Sequence, residues 1–323
     1  MNITFSRLLI ALWCLSSITT YAQPQYPAKP VRIIVPFAPG GGTDTIARVL
    51  AQKLTETWGQ TVLVENRPGA GGLIGFESVL KAPADGYTLG VGTISTLAVI
   101  PATQVKPRYD PLKDFTAVTL ISTVPYVLIA HPSLPARTLS EFVKLARSQP
   151  GQISYGSAGY ATGTHLTAEY LSSVAGMKLV HVPYKGDGPA LIDLMAGQIS
   201  TGFFTTIIMG QHIRSGRLRG IAVMSAQRSR ELPDVPTVIE QGYAGFESES
   251  WQGISVRAGT APELVRKLNT DIVRILNNTA VRAGIEAQGN TVAPGAPEDF
   301  ERFIAKEIAK WKRVIASSGI RIE

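Results

Sequence analysis

Cysteine is almost absent from this chain of 323 residues, and its one cysteine, Cys14, lies close to the N-terminus. If that segment is removed after export, the remaining protein has no disulfide, no thiol nucleophile and no thiolate metal ligand. Histidine is also scarce. The four histidines are never three or four residues apart, which excludes the helical histidine pair of a zinc enzyme. We therefore expect neither a metal ion nor another cofactor.

Long apolar segments and basic runs are lacking as well. Outside the N-terminal segment, no stretch reaches the roughly 20 apolar residues that are needed to cross a bilayer. The net charge is +7, but lysine and arginine are spread along the chain rather than clustered. This pattern does not favour nucleic-acid binding. It agrees better with solubility and a weak attraction for anions.

The N-terminus contains the features of a secretory signal peptide in their usual order. Arg7 provides a positive charge, residues 8–15 are apolar, and residues 20–22 provide small side chains around a cleavage site. A lipoprotein anchor is disfavoured because the residue before Cys14 is not small. We predict a signal peptide over residues 1–22, cleavage near Ala22 and export to the periplasm.

Short β-branched segments alternate with helical patterns along the chain. Strands are predicted at residues 31–35, 61–65, 87–91, 126–130, 153–156, 179–182, 199–204 and 218–223. Helices are predicted between them, opened by Thr43 or Asp44, by Thr138, near Thr162 and around Pro189. This alternation predicts an α/β fold with mostly parallel sheets that are covered on both faces.

The C-terminal part is predicted to be helical. Residues 260–263 combine a capping box with a proline in the first turn. Apolar residues then recur at helical spacing, and Trp311 is expected to pack in the core rather than contact a ligand. No linker of low complexity divides the chain, so two domains would be joined by short crossing strands.

Two glycine-rich turns stand out because each follows a predicted strand and opens a predicted helix. The first spans residues 36–44 and the second spans residues 155–165. Glycine lets the backbone approach a ligand closely. The unpaired amides at a helix N-terminus favour an anion, and nearby hydroxyls add donors. The alternative is that each turn is only a tight connection with a helix cap.

Motifs for nucleotide binding and for hydrolysis are incomplete. The first glycine turn lacks the lysine of a P-loop, and residues 69–75 have the wrong glycine spacing for a dinucleotide site. Ser157 follows Tyr155 by two residues where a nucleophile elbow requires glycine. His165 is expected to satisfy a nearby backbone group. We therefore expect no catalytic residue and predict a binding protein rather than an enzyme.

Seven stretches of the chain match a known pattern in a fixed order, which is more specific than a single glycine turn. They are residues 26–31, 36–44, 64–72, 84–89, 182–186, 232–237 and 309–311. With these stretches, the chain from Tyr26 to Glu323 resembles the Bug-type solute receptors of tripartite tricarboxylate transporters.

The resemblance implies two doubly wound α/β domains with a cleft between them, as in type II periplasmic binding proteins. Domain 1 would comprise residues 23–127 and 225–323, and domain 2 would comprise residues 128–224. Closure of the cleft would capture a small organic acid anion. The implied partners are the membrane subunits of a transporter of this type, and the protein is expected to act as a monomer.

The resemblance also implies which residues contact the ligand. The first glycine turn would form one wall, and the second would form the opposite wall and hold a carboxylate. Residues 92–96 would form a further contact segment. The implied ligand-binding residues are Phe37, Gly40, Gly41, Thr43, Asp44, Thr93, Ser95, Ser157, Gly159, Thr162, Gly163, Thr164, Phe204 and Thr205.

One position departs from the pattern of the family. Many members have an aspartate where this chain has Phe204. A phenylalanine cannot accept a proton or a hydrogen bond from an amino group. The sequence therefore predicts a plain organic acid, with no positive group facing this wall.

Two other functions stay open from the sequence. A protein of this kind could bind the same ligand and dock on a receptor kinase as a sensor. The chain could also be an exported α/β hydrolase that uses Ser157, although the nucleophile motif is incomplete.

Overall fold

The computed structural model describes residues 26–103 and 107–318. The predicted signal peptide and its cleavage site lie outside the described residues. The first half of the chain alternates strands with helices, as the sequence predicts. Its elements are β1 (Val31–Val35), α1 (Gly42–Trp58), β2 (Val62–Asn66), a 3₁₀ turn (Ala70–Gly72), α2 (Leu73–Leu80), β3 (Thr88–Thr93), a π-helical turn (Ser95–Val99) and α3 (Ile100–Thr103).

The second half begins with a long strand and ends in three helices. Its elements are β4 (Phe115–Ala130), α4 (Leu139–Ser148), β5 (Ser154–Ser157), α5 (Gly163–Val174), β6 (Val180–Pro183), α6 (Asp187–Met195), β7 (Thr201–Thr205), α7 (Thr206–Arg214), β8 (Arg219–Val223), β9 (Glu249–Arg257), α8 (Pro262–Asn277), α9 (Thr279–Glu286), β10 (Thr291–Val292) and α10 (Pro297–Ser318).

Strand β4 has 16 residues and takes part in two sheets. Residues 115–125 pair antiparallel with β9, and residues 126–130 pair antiparallel with β7 and β8. The hydrogen-bonded strand order is β2-β1-β3-β9-β4-β7-β5-β6, with β8 and β10 also paired to β4. The pairs β1–β2, β1–β3, β5–β6 and β5–β7 are parallel. One continuous strand therefore carries the chain from the first sheet into the second.

Each sheet is covered by helices on both faces, which gives four apolar clusters. In the first sheet, one face packs against α1, α8 and α9 around Leu50, and the other packs against α2 and α10 around Phe76. In the second sheet, one face packs against α4 and α5 around Phe142, and the other packs against α6 and α7 around Leu194. These side chains are completely buried. The predicted two-domain α/β fold is confirmed. The prediction of mostly parallel sheets is wrong, because β9 pairs antiparallel with β3 and β4, and β7, β8 and β10 pair antiparallel with β4.

Several local predictions are confirmed. Thr138 caps α4 in a reciprocal capping box with Glu141, and Thr162 caps α5 through the amide of His165. Trp311 is fully buried, as expected of a packing residue. These predictions depend only on the local sequence. A hydroxyl just before a helix caps its first turn, and an apolar side chain at helical spacing packs on the buried face of its helix.

Three local predictions are wrong. Helix α1 is opened by Gly41 without a side-chain cap, not by Thr43 or Asp44. Helix α8 is opened by Ala261, and the hydroxyl of Thr260 donates to the Arg257 carbonyl instead of completing a capping box. Strand β4 begins eleven residues before its predicted start at residue 126. The early part of β4 is rich in threonine and serine, so its apolar pattern is weak.

Strand β9 was not predicted. It pairs with both β3 and β4, and six of its residues are buried in sequence from Trp251 to Val256. Its glycine, serine and glutamine residues hide the apolar alternation of a strand. Among the described residues, no helix is long and apolar enough to span a bilayer.

Candidate functional site

A cavity of about 350 Å³ lies where elements of the two sheets meet. Its walls come from the start of α1, the middle of β4 and β9, the start of α6, the end of β7 and the first turn of α7. Polar and apolar side chains are mixed along these walls. The lining residues are Gly42, Thr43, Ser122, Val124, Asp187, Thr205, Ile207, Ile208, Ser250, Trp251, Gln252, Gln288 and Asn290.

The first glycine turn brings the N-terminus of α1 to this cavity. Gly40 has a φ of +87°, a conformation that glycine adopts without strain. The first amides of α1, like those of any helix, have no partner within the helix, and no side chain caps them. Gly42 and Thr43 line the cavity at this point. The helix N-terminus therefore offers free donors and a partial positive charge.

Asp44 is buried beneath the first glycine turn and stabilises its conformation by hydrogen bonds. Its carboxylate accepts hydrogen bonds from the Gly40 amide, from Nε of Arg48 and from Nδ2 of Asn66, each at 2.9 Å. Burial raises the pKa of this carboxyl, but the bonds from Arg48, Gly40 and Asn66 outweigh burial and lower the pKa below its ordinary value. Asp44 thus fixes the shape of the turn and does not line the cavity.

The second glycine turn is held together by its own side chains. Oγ1 of Thr164 accepts from the Ala158 amide at 2.9 Å, and the Thr162 hydroxyl donates to the Gly159 carbonyl at 2.7 Å. Ser157 is fully buried and accepts from the Gly159 amide. These residues were predicted to contact a ligand carboxylate. They do not belong to the cavity lining, and their polar groups mainly satisfy the turn itself.

Tyr126 connects the second glycine turn to the cavity. A Cβ at Gly163 would lie 2.0 Å from the Tyr126 hydroxyl oxygen, so α5 begins directly against this tyrosine. The side chain of Ser250, which lines the cavity, hydrogen-bonds to Tyr126. The predicted second wall therefore stands behind the cavity, with Tyr126 and Ser250 between them.

Residues 92–96 also lie behind the cavity rather than in its lining. Thr93 and Ser95 are buried, and the Thr93 amide donates to Oγ1 of Thr96 at 3.0 Å. A Cβ at Gly72 would lie 2.7 Å from Cγ2 of Thr96 and 3.5 Å from the ring of Phe37. Gly72 therefore lets this segment approach the first glycine turn. Phe37 is half-buried at that contact and is not a lining residue.

Phe204 differs most from its predicted role. Its side chain is fully buried on the face of the second sheet that packs against α6 and α7, among Val127, Ile129 and Leu194. It cannot contact a ligand in this cavity, so the argument for a plain organic acid loses its basis. The next residue, Thr205, does line the cavity.

Several lining residues carry no signal that one sequence reveals. Ser122, Gln252 and Asn290 come from three distant segments and form one hydrogen-bonded chain. Asp187 lies near a predicted helix start, but nothing in the sequence relates it to β4 or β9. Only pairing of the strands brings these groups together. Among the described residues, no cluster of three or more potential metal ligands is present.

His165 and His181 form a stacked pair beside the second glycine turn, with ring centroids 4.0 Å apart. Nδ1 of His165 accepts from the Ala161 amide at 3.2 Å, which is the backbone role that the sequence predicts. Nε2 of His181 lies 2.6 Å from Oγ of Ser157. No base for this serine was predicted from the sequence, so the contact is new.

The Ser157–His181 contact lacks the other parts of a catalytic site. Ser157 has no exposed surface, and Nδ1 of His181 has no hydrogen-bond partner to orient the ring. A serine triad needs an accessible nucleophile and a carboxylate on the second ring nitrogen. The contact therefore has the character of a buried structural hydrogen bond.

The histidine pair predicts a loss of stability in acid. Burial lowers the pKa of His165 to about 3 and that of His181 to about 4, and His181 adds to the effect on His165. The unfolded chain, with a histidine pKa of about 6.5, then binds more protons than the folded protein below that pH. Stability due to these groups therefore falls as the pH drops from about 6.5 toward 4.

Replacing His165 with asparagine tests this coupling, because asparagine keeps an acceptor for the Ala161 amide but does not titrate. Between pH 6.5 and 5, we expect the variant to lose about 1–2 kcal/mol less stability than the native protein. Urea unfolding at both pH values gives the difference. Burial raises the pKa of Asp187 to about 6 and of Glu249 to about 7, which acts in the opposite direction. Comparing the two proteins cancels that contribution, and equal slopes would contradict the prediction.

Known proteins resemble this chain over nearly its whole length. A family model described as "Tripartite tricarboxylate transporter family receptor" matches residues 46–320. Protein BugT of Bordetella pertussis is 36% identical over 328 residues, which cover 100% of both chains. Among solved structures, "R. palustris Rpa4515 with adipate" has a TM-score of 0.82 at 34% identity and covers 92% of this chain and 99% of that one. MatC from Rhodopseudomonas palustris with bound malate has a TM-score of 0.79 at 32% identity, covering 90% and 100%.

Proposed function

The chain belongs to the tripartite tricarboxylate transporter receptor family, and we propose that its cavity captures a small organic carboxylate for uptake by a transporter of this type. It is a periplasmic solute-binding receptor of that family. The observation that carries the proposal is the position of the cavity, whose walls come from both sheets. The bound adipate and malate of two similar structures support a carboxylate as the ligand.

The N-terminus of α1 is the proposed carboxylate site. Its first amides are uncapped, and Gly42 and Thr43 lie in the cavity lining. The hydroxyls of Thr205 and Ser250 on the facing walls supply further donors. An anion at a helix N-terminus is stabilised by these amides and by the helix dipole.

Domain closure is part of the same proposal. The predicted division places residues 23–127 and 225–323 in domain 1 and residues 128–224 in domain 2. The change of pairing along β4, from β9 to β7 near Pro125, supports a boundary at this point. A ligand between the domains would then be enclosed by a small rotation about the crossing strands.

The transporter partners and the export of the protein are proposed from the family to which the chain belongs, not from the cavity. We propose that a monomer is exported by cleavage of its signal peptide near Ala22 and delivers its ligand to the membrane subunits of the transporter. We also propose that it catalyses no reaction, which the burial of Ser157 supports. Ester hydrolysis by the purified protein that disappears in a Ser157→Ala variant would refute that part.

Thermal unfolding in the presence of single organic acids tests the proposal directly. A ligand that binds only the folded state raises the melting temperature, and the shift grows with the logarithm of the ratio of ligand concentration to Kd. We expect a clear shift with at least one small carboxylate of the C4–C6 range. A library of such acids that causes no shift and no heat of binding would contradict carboxylate capture.

A glutamate at position 43 should separate ligand binding from folding. In Thr43→Glu, a negative side chain in the first turn of α1 stabilises the helix by about 0.3–1 kcal/mol. The same charge repels a carboxylate at the uncapped amides, so we expect the affinity to fall at least about tenfold. Calorimetry and urea unfolding measure the two effects.

Thr279→Glu is the matched control, because Thr279 is exposed and opens α9 away from the cavity lining. It should give the same gain in stability and leave the affinity unchanged. If both variants bind the acid as tightly as the native protein, the carboxylate does not lie at the start of α1.

A further inference from the structure

The cavity has an unusual charge for a protein that binds acids. Asp187 is the one ionisable side chain among its lining residues, and no lysine, arginine or histidine lines it. A bound carboxylate must therefore rely on amides and hydroxyls. The wall at Asp187 instead repels a carboxylate and attracts a positive group.

Asp187 lacks a partner for its buried oxygen. It is the first residue of α6, after Gly186 with a φ of +125°. Its Oδ1 is inaccessible to solvent and accepts no hydrogen bond. No described salt bridge involves this carboxylate. A buried acceptor without a donor costs free energy, which a ligand with a donor would remove.

Gln252 also lines the cavity and also has a buried acceptor without a donor. Its side chain is more than nine-tenths buried, and its Oε1 accepts no hydrogen bond. Nε2 of Gln252 donates to Oγ of Ser122 at 3.2 Å, and Ser122 donates to Oδ1 of Asn290 at 3.2 Å. Nδ2 of Asn290 in turn donates to the Ile285 carbonyl at 3.4 Å.

The Ile285 carbonyl fixes the direction of this chain. A carbonyl oxygen only accepts, so the amide nitrogen of Asn290 must face it and Oδ1 must face Ser122. The Ser122 hydroxyl then donates to Asn290 and accepts from Gln252. It follows that the nitrogen of Gln252 is used within the chain, and that its oxygen is the free group. Rotating the Gln252 amide would place its oxygen against Ser122, whose single hydroxyl proton is already donated to Asn290.

We propose that Asp187 and Gln252 form an acceptor pair that selects an acid carrying an amino group over the unsubstituted acid. This inference rests on the proposed function, because the α1 N-terminus holds the carboxylate of the same ligand. An ammonium group satisfies both acceptors and neutralises Asp187, whereas a hydroxyl satisfies one acceptor and leaves the charge. The expected order of affinity is amino acid, hydroxy acid, unsubstituted acid.

This preference is opposite to the one that Phe204 predicts. Position 204 on β7 carries phenylalanine where many family members have an acid. The structure supplies a carboxylate to the cavity from another element, the first turn of α6. Asp187, rather than residue 204, would therefore accept the hydrogen bond from an amino group of the ligand.

Two matched series of dicarboxylates test the proposal by calorimetry at pH 7.5. The four-carbon series is succinate, malate and aspartate. The six-carbon series is adipate, 2-hydroxyadipate and 2-aminoadipate. In the series that fits the cavity, we expect the amino acid to bind at least about tenfold more tightly than the unsubstituted acid. Equal or tighter binding of the unsubstituted acid would overturn the proposal.

Asp187→Asn keeps the shape of the side chain and removes its charge. We expect the preference for the amino acid to fall below about threefold, while the affinity for the unsubstituted acid rises because the repulsion from Asp187 is removed. Gln252→Met should reduce the preference in part. Asp234→Asn, at an exposed acid outside the cavity lining, is the control and should keep it.

The outcomes separate this inference from the proposed function. A fold defect in Asp187→Asn would weaken all ligands of a series equally, and an unchanged preference would exclude Asp187 from recognition. If neither series binds but another acid from the thermal screen does, the same comparison is made with its amino-substituted and unsubstituted forms. Failure of every acid in that screen refutes the proposed function itself.

Discussion

Replacing Glu307 with leucine is expected to lower the free energy of unfolding by about 3–5 kcal/mol. Glu307 is buried on α10, and its Oε2 accepts the indole N–H of Trp251 at 3.0 Å and that of Trp311 at 3.1 Å. Its other oxygen forms an ion pair with Lys310. Leucine fills the space but leaves two buried donors and one ammonium group without their acceptor. Urea unfolding, followed by tryptophan fluorescence, measures the loss.

Glu307→Gln is the matched control for this prediction. Its side-chain carbonyl can still accept from the two indoles, and only the ion pair with Lys310 is lost. We expect it to cost less than half as much as the leucine variant. If both variants lose the same free energy, charge rather than the acceptor stabilises this site. If neither loses any, the two hydrogen bonds do not contribute to stability.

Gly75→Ala is expected to destabilise the protein by about 2 kcal/mol. A Cβ at this position would lie 2.7 Å from the Arg67 carbonyl oxygen and 2.8 Å from Cα of Pro36. Both are backbone atoms, so no side-chain rotation can relieve the overlap. Helix α2 would have to move away from the start of the first glycine turn, and we also expect weaker ligand binding. Unfolding and calorimetry of the variant measure the two effects.

Gly284→Ala provides a control of opposite sign. Gly284 lies inside α9, is exposed, and has no atom within 4 Å of the position of an added Cβ. Alanine there should stabilise the protein by about 0.5–1 kcal/mol, since it restricts the unfolded chain and favours the helix. A loss of stability in this variant, or none in Gly75→Ala, would contradict the steric argument.

The first glycine turn shows how much of the candidate site can be predicted from the sequence. Its strand, its helix and its position near a ligand site follow from local pattern, and Gly42 and Thr43 do line the cavity. The detail fails at Asp44, which was expected to cap α1 but instead accepts from Arg48 and Asn66. Asn66 lies on a neighbouring strand, so its contribution depends on sheet pairing that a single turn does not encode.

The two acceptors of the cavity could not be predicted from the sequence. Gln252 lies on a strand that was not predicted, because its apolar alternation is weak. Asp187 reaches the cavity only because α6 starts beside the end of β7. The family resemblance assigned Phe204 to the ligand, yet its ring is buried on the face of the second sheet that packs against α6 and α7. Which face a strand residue occupies is set by pairing across both sheets.

Strand β4 is shared between the two sheets, and β9 returns from the second half to pair with the first. Removing residues 126–130 would take away the strand to which both β7 and β8 are paired. Neither half of the molecule is therefore complete as a contiguous stretch of chain. A single cut in the backbone would separate strands that pair with each other. During synthesis, the first sheet therefore stays incomplete until the chain has been made well beyond the first strands of that sheet.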